Sequence, residues 1–259
     1  MTGASSGIGA ATVRALRADG WDVVGVARRA ERLEALAAET GAAAFAADLT
    51  SDADVDRLAA HLAETGPVHA LVHVAGGARG TDRVEDGRTE DWGWMYDVNV
   101  LSAQRLVTRL LPLLRRAAAG DATHADLLFV TSTAAQVAYP GGGGYNAAKA
   151  GEAMLVRALR QELNGEPLRV VEIAPGMVHT EEFTLNRTGD PAAVEALYAG
   201  VDRPLVAEDV AGIIAYALGA PGHVNLDLVT MRPVAQAAQH MLHRGPLAVR
   251  AERSGEADA

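Results

Sequence analysis

The sequence contains no cysteine, which excludes disulfides, thiolate metal sites and cysteine nucleophiles. Lysine is almost missing too. The basic residues are arginine throughout, with Lys149 as the single exception. Aromatic side chains make up 4% of the chain and hydrophobic ones 49%, so a core has to be built from Ala, Val, Leu and Ile. That composition suits stacked helices and buried parallel strands. Positive charge is in deficit, with a formal net charge of -10, which disfavours nucleic acid and anionic membranes as partners. No apolar run approaches the ~20 residues of a membrane span. The first residues carry neither the basic nor the apolar segment of a secretory signal. A soluble, cytoplasmic protein is expected. At 259 residues the chain is long enough for one large or two small domains. It shows no internal repeat, low-complexity block or linker, so one domain over residues 1–245 is expected, with a polar, mobile tail at 246–259.

The lone lysine lies in an informative stretch, Ser132 to Lys149. Tyr145 and Lys149 stand at i and i+4. On a helix both leave one face, a turn apart. The segment from Tyr145 onward is rich in Ala, Met, Leu, Arg, Gln and Glu and predicts a helix, whereas the four glycines before it do not. An ammonium near a phenol favours phenolate and draws a tyrosine toward general acid–base work. Arginine, which cannot release its proton, is a poor substitute there. A short tyrosine–lysine spacing also occurs on solvated helix faces, so the rest of the chain has to decide.

Taken in order, strands and helices alternate. A glycine-rich turn, Thr2 to Gly9, feeds a helix that stops at Gly20. Such a turn at a helix N-terminus makes an anion site, and glycine lets backbone approach a pyrophosphate closely. Strands are predicted at 21–27, 42–47, 68–75, 126–131, 168–174 and 223–231. Helices are predicted after Arg29, after the Ser51 N-cap, over about 91–116 with a possible kink at Pro112, and at 206–218. Residues 177–205 have no strong period and read as an insertion. This is an α/β pattern: a Rossmann-type, doubly wound parallel sheet with helices on both faces. Only Met1 precedes the glycine turn, where a strand is required. The central first strand is therefore expected to be missing or truncated, with a start several residues upstream, exposed apolar surface and unpaired ladder groups on two neighbours.

In such sheets ligands bind beyond the carboxyl ends of the strands. Arg28, Asp48, Gly76, Ser132 and Pro175 each directly follow a strand, so one site is expected. An acid after the second strand binds a ribose 2′-hydroxyl, whereas arginine accommodates a 2′-phosphate. Here Arg28 and Arg29 stand in that place, which favours NADP(H) over NAD(H).

Several ordered motifs together resemble the short-chain dehydrogenase/reductase family over essentially the whole chain. Thr2-Gly3, Gly7 and Gly9 match its phosphate turn, and Ala75-Gly76 match the end of its Asn-Asn-Ala-Gly motif. Pro175-Gly176 and Thr180 match the motif at its nicotinamide end. The resemblance implies a catalytic set of Asn99, Ser132, Tyr145 and Lys149. It implies that NADP(H) is held by Gly3, Ser5, Ser6, Gly7, Ile8 and Gly9, by Arg28 and Arg29, and by Asp48 and Leu49 around the adenine. Ala75, Gly76, Asn99, Tyr145, Lys149, Pro175, Gly176, Val178 and Thr180 complete that set; no metal is implied. By the same resemblance Ser132 polarises a carbonyl, Tyr145 moves the proton, Lys149 holds the ribose and lowers the tyrosine pKa, and Asn99 anchors a water. Later segments look like the NADP-dependent 3-hydroxy acid, serine-type, branch. The substrate of that branch carries a carboxylate and needs a cation: Arg79, Arg83 and Arg187 are candidates, and Arg187 is preferred. A homodimer or homotetramer is implied. His73-Val74 departs from the family's Asn-Asn, and His73 reads as a structural histidine. The alternatives are a catalytically impaired cofactor-binding homologue and a reductase of larger neutral ketones or aldehydes.

Overall fold

The computed structural model describes residues 1–120, 123–180 and 182–249. A parallel sheet forms the middle layer. On one side β1 (Val24–Ala27) pairs with β2 (Ala43–Ala46). On the other, β3 (Ala70–His73), β4 (Ala125–Val130), β5 (Leu168–Pro175) and β8 (Val229–Met231) run in that spatial order. The helices α1 (Gly7–Ala18), α2 (Ala30–Thr40) and α9 (Ala207–Gly219) cover one face through Val13, Leu16, Leu33, Val210 and Ile214. The other face is covered by α3 (Asp52–Thr65), α5 (Ser102–Ala119) and α6 (Gly143–Glu162), through Val55, Leu58, Leu106, Leu114 and Val156. This is the doubly wound arrangement the alternation predicts, and strands β4 and β5 are buried along almost their whole length. The Ser51 hydroxyl accepts from the Asp54 N–H at 3.3 Å, the N-cap read from the sequence.

Between β1 and β3 the sheet is held by two residues. The Thr2 N–H donates to the Val72 carbonyl at 2.9 Å, and the Val26 N–H donates to Met1 O at 2.8 Å. Met1 and Thr2 thus occupy the position of a central strand without its length. Below them a cavity of about 750 Å³ opens between the two halves, lined by Val24, Leu58, His69, Leu71 and Leu106 among others. The Met1 ammonium donates to Val24 O at 3.0 Å. Burial pushes its pKa down from 8.0 to about 5.

Four expectations are corrected. The glycine run does enter a helix: α6 begins at Gly143. A Cβ on Gly144 would lie 2.4 Å from Met95 Cε, and one on Gly142 would meet the Tyr139 ring at 2.4 Å. These glycines admit neighbouring side chains rather than break the helix. The helix expected over 91–116 is two, α4 (Thr89–Tyr96) and α5, joined by a π-turn at Asp97–Leu101. The stretch 177–205 is structured, with β6 (Val178–His179), α7 (Phe183–Thr188), α8 (Pro191–Tyr198) and β7 (Leu205–Val206). Finally, the last predicted strand is short. Before it, the Asn225 side chain takes the Val170 N–H and donates to the Val170 carbonyl at 2.8 and 3.1 Å, doing with one amide what a strand residue would do. The chain also forms a small hairpin of β9 (Gln236–Ala238) and β10 (Met241–Leu242). The mobile tail expected at 246–259 lies, from residue 250 onward, outside the described residues. Among the described residues no helix is long and apolar enough to cross a membrane.

Candidate active site

The carboxyl ends of the strands converge on a groove of about 550 Å³. Its floor is the turn before α1. A Cβ on Gly9 would sit 2.0 Å from Gly3 O, and Gly7 has φ +48, so both positions require glycine. Ser5, Ser6 and Ile8 line the same turn. Arg28 and Arg29 follow β1, Asp48 and Leu49 follow β2, Ala75 and Gly76 follow β3, and all line the groove, as does Thr180. Asp48 closes its own turn, accepting from the Thr50 N–H and hydroxyl at 3.0 and 2.8 Å. Pro175, Gly176 and Val178 stand at the end of β5 and in β6, outside this lining. Gly176 is instead packed against Gln236 and Arg232.

One wall holds a feature that the sequence reading missed. Arg29 donates to Ser5 Oγ at 2.8 Å, to Ser6 Oγ at 2.9 Å and to Glu182 Oε1 at 2.7 Å. Arg32 also donates to Glu182, and the Ser6 hydroxyl donates to Glu182 Oε2 at 2.9 Å. Hydrogen bonds from Arg29 and Ser6, with the two guanidinium charges, hold the Glu182 carboxyl down at about 2. Two arginines and a hydroxyl are thus arranged around an anion at the groove's edge. Guanidinium and hydroxyl donors of this kind also bind phosphate, and with the glycine turn the set is compatible with a dinucleotide carrying a 2′-phosphate. Arg32 was legible in principle, one turn beyond Arg29. Glu182 was not, because it is 153 residues away in sequence.

The expected acid–base set, Asn99, Ser132, Tyr145 and Lys149, lies outside this lining and meets it at Gly76 and Phe183. Tyr145 and Lys149 project from α6 as the spacing requires and are almost fully buried. The Ser132 hydroxyl caps the short helix after β4, accepting from the Ala134 N–H at 3.1 Å. Asn99 sits in the π-turn, a local form that often marks functional sites. Its side chain donates to Gly77 O and Met95 O at 2.8 and 2.7 Å and accepts from the Gly77 N–H at 3.1 Å. A Cβ on Gly76 would lie 2.5 Å from Asn99 Oδ1 and 3.2 Å from Lys149 Nζ. A side chain at 76 would displace both, so glycine there leaves room for them against the groove lining. The Tyr145 ring packs against Phe183 of α7 at 5.4 Å.

The tyrosine differs from the sequence expectation. Burial raises its pKa, and the Lys149 ammonium and Ser132 hydroxyl only partly oppose that rise. One turn further along α6, Glu152 accepts from Lys149 Nζ at 2.7 Å, and its charge adds a smaller contribution in the same direction as burial.

Of the three candidate cations, Arg79 leans on Trp94 and pairs with Asp91 at 3.5 Å, and Arg83 is exposed beside Glu85. Arg187 donates to Gly80 O, Tyr139 Oη and Gly141 O at 3.0, 3.1 and 2.7 Å. Its guanidinium lies 5.9 Å from the Tyr145 ring centroid. Among the described residues it has no carboxylate partner. His73 is fully buried and structural. Thr2 Oγ1 takes the Val74 and Ala75 N–H groups at 3.1 Å each and stands 3.0 Å from His73 Nδ1. The threonine therefore donates to an unprotonated Nδ1. Burial, then the charges of Lys149 and the N-terminus, push His73 down to about 3.

A glycine cradle at the ends of a parallel sheet, beside a half-buried serine and a buried tyrosine and lysine, fits an oxidoreductase of the dinucleotide type. Residues 1–190 match the family described as short chain dehydrogenase, and the chain belongs to it. An uncharacterised oxidoreductase of Mycobacterium tuberculosis is 48% identical over 238 residues, covering 92% of this chain and 91% of that protein. Serine 3-dehydrogenase of Agrobacterium fabrum is 38% identical over 240 residues, covering 91% and 93%. Among solved structures, the closed form of serine dehydrogenase complexed with NADP+ superposes with a TM-score of 0.86 at 31% identity, over 96% of this chain and 98% of that one.

Proposed function

We propose that this protein is an NADP(H)-dependent dehydrogenase that interconverts a carbonyl and an alcohol, with a small 3-hydroxy acid of the serine type, or its semialdehyde, as its substrate. The observation that carries the reading is the placement of Arg187 over Tyr145, with no acidic partner among the described residues, beside the glycine-lined groove. The turn from Gly3 to Gly9 would hold the pyrophosphate, and Arg28, Arg29 and Arg32 the 2′-phosphate. When bound, the nicotinamide donates or accepts the hydride. Ser132 donates a hydrogen bond to the substrate oxygen and polarises it. Tyr145 gives that oxygen a proton in reduction and takes it back in oxidation. Lys149 presents its ammonium to the ribose hydroxyls and to the tyrosine. Arg187 fixes the substrate carboxylate.

Two substitutions test the parts separately. Arg187→Met is expected to raise KM for L-serine or 3-hydroxypropionate by about 10–100-fold, since a charge-assisted hydrogen bond is worth about 1.5–3 kcal/mol, while a neutral carbonyl is reduced as before. Equal losses on both substrates would remove Arg187 from substrate binding. Arg29→Ala is expected to weaken NADPH by about 10–100-fold on the same scale and to leave NADH nearly unchanged; isothermal titration reads both. A parallel loss for the two cofactors would mean that the arginine serves the fold of the turn.

A further inference from the structure

Glu152 has no place in the acid–base set described above, yet it is the closest charged group to Lys149. Its side chain is fully buried, and its Oε2 accepts from Lys149 Nζ at 2.7 Å. Its Oε1 is buried without a hydrogen-bond partner. Behind it on β5 stands Glu172, also buried. One Glu172 oxygen takes the Thr131 hydroxyl at 2.8 Å and the other has no hydrogen bond. Arg157, on the exposed side of α6, reaches Glu172 only at 3.9 Å. From β3 the nearest titratable group is His73, which is neutral at ordinary pH. The buried cluster therefore holds one ammonium, two carboxyls and the Tyr145 phenol.

Packing does not explain a carboxyl here. The position faces the core, where an aliphatic side chain would be buried without the desolvation that a buried ion pair suffers. A lysine has three donors. Lys149 gives one to Glu152 and one to Val130 O at 3.2 Å, leaving one.

We propose that Glu152 is a positioning residue: its carboxylate holds the Lys149 ammonium from behind and thereby sets how strongly that ammonium acidifies Tyr145. The inference rests on the reading of Tyr145 and Lys149 as the acid–base pair. Two directions agree with it. The Lys149 pKa is raised, because Glu152, Tyr145 and Glu172 together outweigh the opposing effect of burial. Burial also raises the Glu152 carboxyl, to about 7, with Lys149 opposing and Glu172 adding to the rise. A carboxyl that titrates near neutrality beside the lysine makes the tyrosine more acidic below that pH than above it.

The test is the phenolate absorbance of Tyr145 in the protein without cofactor, read against pH as the difference from Tyr145→Phe. In Glu152→Gln the midpoint is expected to fall by about one unit or more, a tenfold gain in phenolate at a given pH, and in Glu152→Asp to stay near wild type. Glu152→Met, similar in length and uncharged, is expected to follow Glu152→Gln. In alcohol oxidation, where the phenolate is the base, the limb on which kcat rises with pH is expected to move with the midpoint. A midpoint unchanged in the uncharged variants overturns the proposal. So does failure of both uncharged variants to fold while Glu152→Asp folds, which would make the carboxylate structural. The titration needs no substrate. A wild-type protein that titrates as expected but turns over no carbonyl sinks the functional reading alone.

Discussion

Tyr145→Phe is expected to lower turnover by about 10²–10⁴-fold, the usual share of a positioned acid–base group, while NADPH binding stays largely intact. The substitution removes one hydroxyl from a side chain that is 8% exposed. The ring keeps its contact with Phe183, and none of the groove-floor glycines touches it. Stability and the cofactor site should therefore survive. A thermal melt with and without NADPH reads this, because a ligand that binds only the folded state raises its stability by about 2.7 kcal/mol at a hundred times its Kd. Turnover lost with the NADPH shift intact supports the role. Turnover retained in the phenylalanine variant removes Tyr145 from the chemistry. Loss of both together would place the tyrosine in the architecture of the groove.

The second large effect concerns stability and pH, and its source is the junction between the sheet halves. Folded His73 stays neutral down to about 3, whereas its ordinary value is 6.5. Between those limits the unfolded chain binds a proton that the folded chain refuses, so stability falls as the pH drops through the window. At about 1.4 kcal/mol per pH unit, this one group accounts for about 3 kcal/mol between pH 6.5 and 4. His73→Asn is expected to remove that slope. Urea unfolding of both proteins at several pH values reads the difference, and carboxylates common to both cancel in it. Glu152 works the other way in both, since its raised pKa costs stability as the pH rises from its ordinary 4.5 toward 7. Parallel curves for the two proteins would mean that His73 is protonated in the fold.

The sequence by itself determined the alternation of strands and helices, the glycine turn, the Ser51 cap and the face shared by Tyr145 and Lys149. Each depends on residues within a turn or two of one another, where periodicity and spacing are direct consequences of backbone geometry. It also pointed to the strand ends as the site, since a parallel sheet leaves that edge open whatever its side chains. The tertiary structure decided the rest. That Glu152 is i+3 from Lys149 was legible, but that the pair is buried, so that the carboxylate offsets the ammonium, depends on β4 and β5 lying beneath α6. Glu182 meets Arg29 only because the segment after β6 folds back over a turn at the other end of the chain. Met1 and Thr2 hold two half-sheets together because β1 and β3 lie on either side of them, far apart in sequence. Contacts of this kind are set by the order of strands in the sheet, which local sequence pattern does not encode.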